Sequence, residues 1–268
     1  MPLPSATPSS ASWRIFYRCC PRLAAVTQDD DSMIDLLKSR AASPERHEPA
    51  LVTFLNPYSY RIARQHPGLF RRFDAIHYDG IVLAKLMKLA GVSVPRTSFD
   101  MTSLADEVLA GAAREGRRVF FVGSEPGVPE QAAETLKAHF DGLQVAGVRH
   151  GFFASDEERS AFIAELVAIA PEIVVVGMGA PLQERLLVDL ADAGWHGEGY
   201  TCGGFLHQTA KGGAQYYPAW MDRMNLRWLY RIYDEPKLIK RYTIDYSIFL
   251  ALFAGDLVKH YRNKRSRA

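Results

Sequence analysis

The thirteen residues Glu172-Ile-Val-Val-Val-Gly-Met-Gly-Ala-Pro-Leu-Gln-Glu184 compress a strand, a glycine turn and a helix start. Ile173 to Val176 is a short unbroken β-branched run bounded by turn residues, the pattern of a parallel strand buried on both faces. Gly177 and Gly179 allow a sharp turn and a close approach of ligand to backbone, and Pro181 suits a first helical turn. Free N–H groups at such a helix start favour an anion such as phosphate, with Gln183 and Glu184 placed to bond sugar or base hydroxyls. A plain strand-to-helix turn would look the same, because Gly-x-Gly alone is a weak signal.

The same grammar recurs along the chain. Strands are expected at Arg22 to Val26, Ala50 to Leu55, Ala75 to Tyr78, Arg117 to Val122, Leu143 to Val148 and Glu198 to Cys202. Helices are expected at Met33 to Arg40, from Pro57 to about Phe73, and at Ile81 to Ala90, Met101 to Arg114, Val128 to His139, Asp156 to Ile169 and Leu182 to Ala191. Strict alternation predicts a doubly wound α/β fold with a parallel, Rossmann-like sheet and ligands at its carboxyl edge. Three regions are expected: a loose tail over 1–21, a catalytic α/β domain over 22–204 and a helical, basic appendage over 205–268.

Polar residues at strand ends are the candidates for chemistry. Asn56 closes the first apolar strand, and Asp79 precedes Gly80 where a carboxylate could take a proton from an acceptor hydroxyl. An acid there also serves as a cap or turn residue. Arg96 lies in the next connection, where a solvated loop charge is the plain alternative. Asp29-Asp30-Asp31 directly precedes an amphipathic segment and reads as helix capping rather than a metal site. Ser155 with Glu158 likewise reads as a cap, so Asp156 and Glu157 need no chemistry. Gly203-Gly204 opens an expected flexible turn carrying His207 and Gln208.

Charge is informative by distribution. The net charge is +2 over 268 residues, but from Lys211 onward 12 Lys/Arg stand against 5 Asp/Glu, which predicts an anionic partner for that end. Ile248 to Ala254 is apolar yet too short to span a bilayer, and Lys259, Arg262, Lys264, Arg265 and Arg267 follow it. That mixture suits an interfacial helix on a membrane surface, a core-packing helical hairpin being the alternative. Cys19, Cys20 and Cys202 form neither a disulfide framework nor a metal spacing, so a reducing cytosol is expected. No export signal or membrane span is expected. A nicotinamide enzyme would carry Gly-x-Gly-x-x-Gly at the first strand and an acid about 20 residues on, and neither is present. A non-catalytic membrane-docking module is the other competing class.

Taken in order, Phe-Leu-Asn56-Pro, Asp79-Gly80, Arg96 before Asp100, Gly123-Ser-Glu-Pro-Gly127, Gly179-Ala-Pro-Leu-Gln183-Glu184, Gly203-Gly204, Trp228-Leu-Tyr-Arg231, Glu235-Pro236 and Arg241-Tyr242 resemble the WecG/TagA/CpsF glycosyltransferase family, also called glycosyltransferase family 26. The resemblance runs from about Arg22 to Tyr242. It implies an inverting transferase, without metal or other cofactor, that moves a sugar from a UDP-sugar to a polyprenyl-diphosphate-linked saccharide at the inner face of the cytoplasmic membrane. No nucleic-acid partner is implied. Asp79 would be the base, and Asn56, Arg96, Gly179, Gln183, Glu184 and Gln208 would line the substrate site. Arg231 and Arg241 would bind diphosphate, replacing the charge a metal supplies elsewhere.

The chain departs from the family pattern at Phe54 (usually Thr), Leu182 (usually Lys) and Leu206-His207-Gln208 (an acid missing), and Tyr217-Pro218 lacks a neighbouring arginine. These departures point away from acetamido-sugar or uronate donors such as UDP-ManNAc and UDP-ManNAcA. The variant turn is similar to that of the family's xanthan-pathway branch, a β-1,4-glucosyltransferase of exopolysaccharide synthesis, and implies UDP-glucose.

Overall fold

The computed structural model describes residues 32–41, 51–213, 233 and 239–266, and of 241 and 242 the backbone alone. Six strands form one parallel sheet: β1 (Leu51–Leu55), β2 (Ala75–Tyr78), β3 (Arg118–Gly123), β4 (Gln144–Arg149), β5 (Ile173–Gly177) and β6 (Glu198–Thr201). Their spatial order is β2-β1-β6-β5-β3-β4. Successive residues point to opposite faces, so β1, β2, β3 and β5 each feed two cores. Leu51, Leu55, Ile76, Phe120, Val122, Val174 and Val176 enter one, while Val52, Phe54, Val119, Phe121, Ile173, Val175 and Tyr200 enter the other. Burial on both faces is what unbroken apolar strands require, and the doubly wound expectation holds.

The helices follow the expected alternation: α1 (Met33–Ser39), α2 (Pro57–Gln65), α3 (Pro67–Phe70), α4 (Ile81–Met87), α5 (Leu104–Glu115), α6 (Val128–His139), α7 (Asp156–Ile169), α8 (Leu182–Asp192), α9 (Phe205–Gly212) and α10 (Tyr246–Ser266). Neighbouring strands β3 and β5 send the chain in opposite directions, to β4 and to β6. That divergence opens a crevice at the carboxyl edge, the usual ligand position in such sheets.

Several boundaries differ from the sequence reading. Helix α5 starts at Leu104 rather than Met101, because Asp100 Oδ1 accepts from Thr102 N (3.0 Å) and Thr102 Oγ1 (2.7 Å) and folds Met101–Ser103 into a turn. The expected flexible turn after Gly203-Gly204 is helix α9, drawn in because Phe205 and Leu206 are buried in the second core. Pro181, joined to Ala180 by a cis peptide bond, takes the cap position and not the first helical turn. Ser32, in a reciprocal capping box with Asp35, caps α1. Arg22 to Val26, Asp29 to Asp31, Trp220, Trp228 and Arg231 lie outside the described residues.

The C-terminal helix α10 follows a π-helical turn, Arg241–Asp245, and packs on α1 and α2. Its apolar run is therefore divided. Phe249 and Phe253 are buried against the Tyr60 ring, whereas Ile248, Leu250 and Val258 remain exposed. Two polar clasps hold the buried stripe. Asp256 Oδ2 accepts from Tyr60 Oη (2.6 Å) and pairs with Arg64 Nε (2.8 Å), and His260 Nδ1 meets Asp35 Oδ1 at 2.5 Å. No helix among the described residues is long and apolar enough to cross a membrane.

The tightest backbone contact lies between β3 and β5. Gly123 sits at φ 141°, and a Cβ there would stand 2.3 Å from the Gly177 carbonyl oxygen. Gly123→Ala should therefore lower the unfolding free energy by about 3 kcal/mol in urea titrations, through overlap and backbone strain together. Gly179→Ala, at φ 77° with nothing within 4 Å of the added carbon, should cost only about 1–2 kcal/mol.

Candidate active site

Three turns stack at the carboxyl ends of β3, β4 and β5. Ser124 N donates to Gly177 O (3.0 Å) and Gly151 N to Ser124 O (2.9 Å), while a Cβ on Gly151 would come within 3.0 Å of Met178 Cγ. Ser124 adopts φ 61°, a left-handed conformation uncommon for a side-chain-bearing residue. Gly179 follows in the same region of backbone space, with open space on the side where a side chain would project. A ligand can thus approach the backbone of this turn.

The second group lies at β1 and β2. Asn56 caps α2, its Oδ1 accepting from Tyr58 N and Ser59 N (both 3.0 Å), which leaves its amide nitrogen as the end able to donate to a ligand. Asp79 N donates to Leu55 O (2.8 Å), and a Cβ on Gly80 would stand 3.5 Å from Pro57 Cδ, so the two turns lie side by side. The Asp79 side chain is 38% exposed, with Arg96 Nη2 3.9 Å from its Oδ1. Arg96 also donates to Ser98 Oγ (2.7 Å) and lies 3.6 Å from Asp100 Oδ2. Arg96 is therefore a held cation facing the candidate base, not a solvated loop charge.

Gln183 and Glu184 occupy the first turn of α8, below this edge. Glu184 is fully buried, its Oε1 accepting from Thr53 Oγ1 (2.9 Å) and Gln183 Nε2 (3.0 Å). Burial pushes its carboxyl above the usual carboxylate range, against the lowering effect of those two hydrogen bonds. Gln183 Oε1 in turn accepts from Gly203 N at 3.2 Å. Gln208, half-buried, lies within α9, its N donating to Gly204 O at 3.0 Å. Arg241 lies in the π-helical turn with only its backbone described, and Arg231 lies outside the described residues.

Asn56, Asp79 and Arg96 thus form one cluster, and Gly179, Gln183 and Glu184 another, on the same sheet edge. β2 and β5 are three strand spacings apart, or about 14 Å. Such a layout suits an extended ligand with an anionic part at the glycine turn and a reacting centre near the acid. Among the described residues, no group of three His, Cys, Asp or Glu side chains could hold a metal ion. Sequence reasoning missed Thr53, Thr201 and Ser98, and took Asp100 as a motif residue without a role. Thr53 was detectable, because a hydroxyl inside a fully buried strand needs a partner.

A doubly wound parallel sheet with glycine turns and an acid on its carboxyl edge places the protein among the α/β folds that bind ligands, nucleotides among them, at that edge. More narrowly, the model of the WecG/TagA/CpsF glycosyltransferase family matches residues 22–263, and the chain belongs to that family. It is a glycosyltransferase. A curated relative, the UDP-Gal:alpha-D-GlcNAc-diphosphoundecaprenol beta-1,4-galactosyltransferase of Shigella boydii, is 34% identical over 207 residues, covering 77% of this chain and 86% of its own length.

One titration near the site is measurable. His77 stacks on Phe54 with ring centroids 5.2 Å apart, and burial depresses its pKa from 6.5 to about 4. The unfolded chain takes up this proton below pH 6.5 and the folded protein only near pH 4, so the stabilising effect of neutral His77 is lost as pH falls through that window. Thermal unfolding of wild type against His77→Phe should show wild type losing more stability over that range, while the two curves run parallel above it.

Proposed function

We propose that the protein transfers a hexose from a UDP-sugar to a polyprenyl-diphosphate-linked saccharide, with inversion and without a metal. The observation that carries this reading is Asp79, a partly exposed acid beside Arg96 on the edge that also holds the glycine turns. In the proposed step the acceptor hydroxyl attacks the anomeric carbon, its proton passes to Asp79 and UDP departs. Arg231 and Arg241 are proposed to neutralise the departing diphosphate, as the family resemblance implies. The linkage is proposed to be β-1,4.

The donor reading narrows to two sugars. The variant segment Leu206-His207-Gln208 favours glucose, and the relative's name favours galactose. Leu206 is fully buried, so the family's usual acid at this position is replaced by a core contact. Purified protein given a lipid-diphosphate acceptor and either UDP-glucose or UDP-galactose decides between them. Transfer should persist in excess EDTA, and Asp79→Asn should retain UDP binding while lowering turnover roughly 100-fold. Unchanged turnover would remove Asp79 from the mechanism.

The acceptor's lipid calls for a surface contact, and the outward residues of α10 form the proposed one, placing the protein at the inner face of the cytoplasmic membrane. Ile248, Leu250 and Val258 are exposed on this helix, and Lys259, Arg262, Lys264 and Arg265 lie near its end. Removing the helix would uncover Tyr60 and the first core, so substitution is the cleaner test. Leu250→Ser with Val258→Ser should reduce sedimentation with anionic liposomes. Arg262→Gln with Arg265→Gln should reduce its salt sensitivity, each cation contributing about 1 kcal/mol at the surface.

A further inference from the structure

Glu184 is the most deeply buried acid near the site, and its neighbours form a connected polar knot inside an apolar core. Thr53 Oγ1 bonds both Glu184 Oε1 and Thr201 Oγ1 (2.9 Å each), Gln183 Nε2 donates to Glu184 Oε1 (3.0 Å), and Gln183 Oε1 accepts from Gly203 N (3.2 Å). The backbone register between β1 and β6 runs through Leu51–Gly199 and Val52–Tyr200 and stops there. Thr53 and Thr201 come next. Side chains therefore continue the joint where the ladder ends, and they carry it through Glu184 and Gln183 to the turn after β6.

The knot links four pieces of the edge: β1, β6, the start of α8, where Gln183 N donates to Gly179 O (3.1 Å), and the Gly203–Gly204 turn into α9. It also orients Gln183 at both ends, since its nitrogen meets Glu184 and its oxygen meets a backbone N–H. Glu184 itself is closed off from solvent, and its Oε2 has no hydrogen-bond partner among the described residues. A sugar or nucleotide reaching this edge meets the turns before it could meet the carboxyl.

We infer that Glu184 is a positioning residue that never touches the donor: through Thr53, Thr201 and Gln183 it fixes the spacing of the Gly177–Gly179 and Gly203–Gly204 turns that receive the UDP-sugar. The inference rests on the reading of this edge as the donor site. Burial favours the neutral form of this carboxyl, which suits such a role, because an ionised one would need a charge partner there. Gln183, not Glu184, is the side chain of the pair that ties one turn to the other.

The test compares Glu184→Ala, Glu184→Gln, Gln183→Ala and the double alanine variant by UDP titration, donor and acceptor KM, and thermal unfolding. Glu184→Ala should weaken UDP binding and raise donor KM by up to about 100-fold, the scale of a displaced positioning group, with acceptor KM unmoved. Glu184→Gln should recover binding to within about fivefold of wild type, a neutral hydrogen bond replacing another. The double variant should be no worse than Glu184→Ala alone to within about twofold, since coupled residues do not add. Glu184→Gln as damaging as Glu184→Ala would mean that the carboxylate itself meets the ligand, and unchanged UDP binding in folded Glu184→Ala would remove any role; either overturns the inference. If Glu184→Ala does not fold, Thr53→Val reads the same chain, and unaltered UDP affinity there has the same force. A wild-type protein that binds no UDP overturns the donor-site reading itself, which separates the two failures.

Discussion

A parallel sheet buried on both faces leaves few places for polar chemistry other than its edges, and everything functional in this protein follows from that constraint. The strand interiors are committed to two apolar cores, so the polar atoms of the site gather where the strands run out. The divergence of the connections after β3 and β5 then decides where along the edge a ligand finds room. Gly123 and Gly177 meet at that point, backbone against backbone, with no space for a side chain between them.

The price of mixing polarity into such a core is visible at Thr53, Thr201 and Glu184. Each of these groups is buried, and isolated hydroxyls or carboxyls there would lose hydration without recompense. They are tolerable because they satisfy one another, apart from one carboxyl oxygen. Arg96 is handled differently. Ser98 and Asp100 steer it, while Asp79 stays accessible to solvent.

The architecture was legible in the sequence because alternation and β-branching report burial directly. The helices Val128–His139 and Asp156–Ile169 carry their own caps or flanking turns and were readable to the residue. The start of α5 was not, because Asp100 closes a local turn through its side chain, a competition that periodicity does not register. The candidate site was legible as a set of strand-end residues but not as two clusters, since strand order is a property of the assembled sheet. The depth of Glu184 was hidden for a related reason: Thr53 and Thr201 lie 131 and 17 positions away in the chain, and only the pairing of β1 with β6 brings them together beneath α8.

Helix α2 has two ends with different duties. Its first residue follows Asn56, and one and two turns later Tyr60 and Arg64 grip Asp256 of α10. From Asn56 to Arg64 the helix spans about 12 Å. With Phe249 and Phe253 wedged on Tyr60, α10 is bolted to this rod and not hinged to it. A surface that engages the outward residues of α10 therefore acts on the sheet's carboxyl edge through α2, while the His260–Asp35 contact ties the same helix to α1.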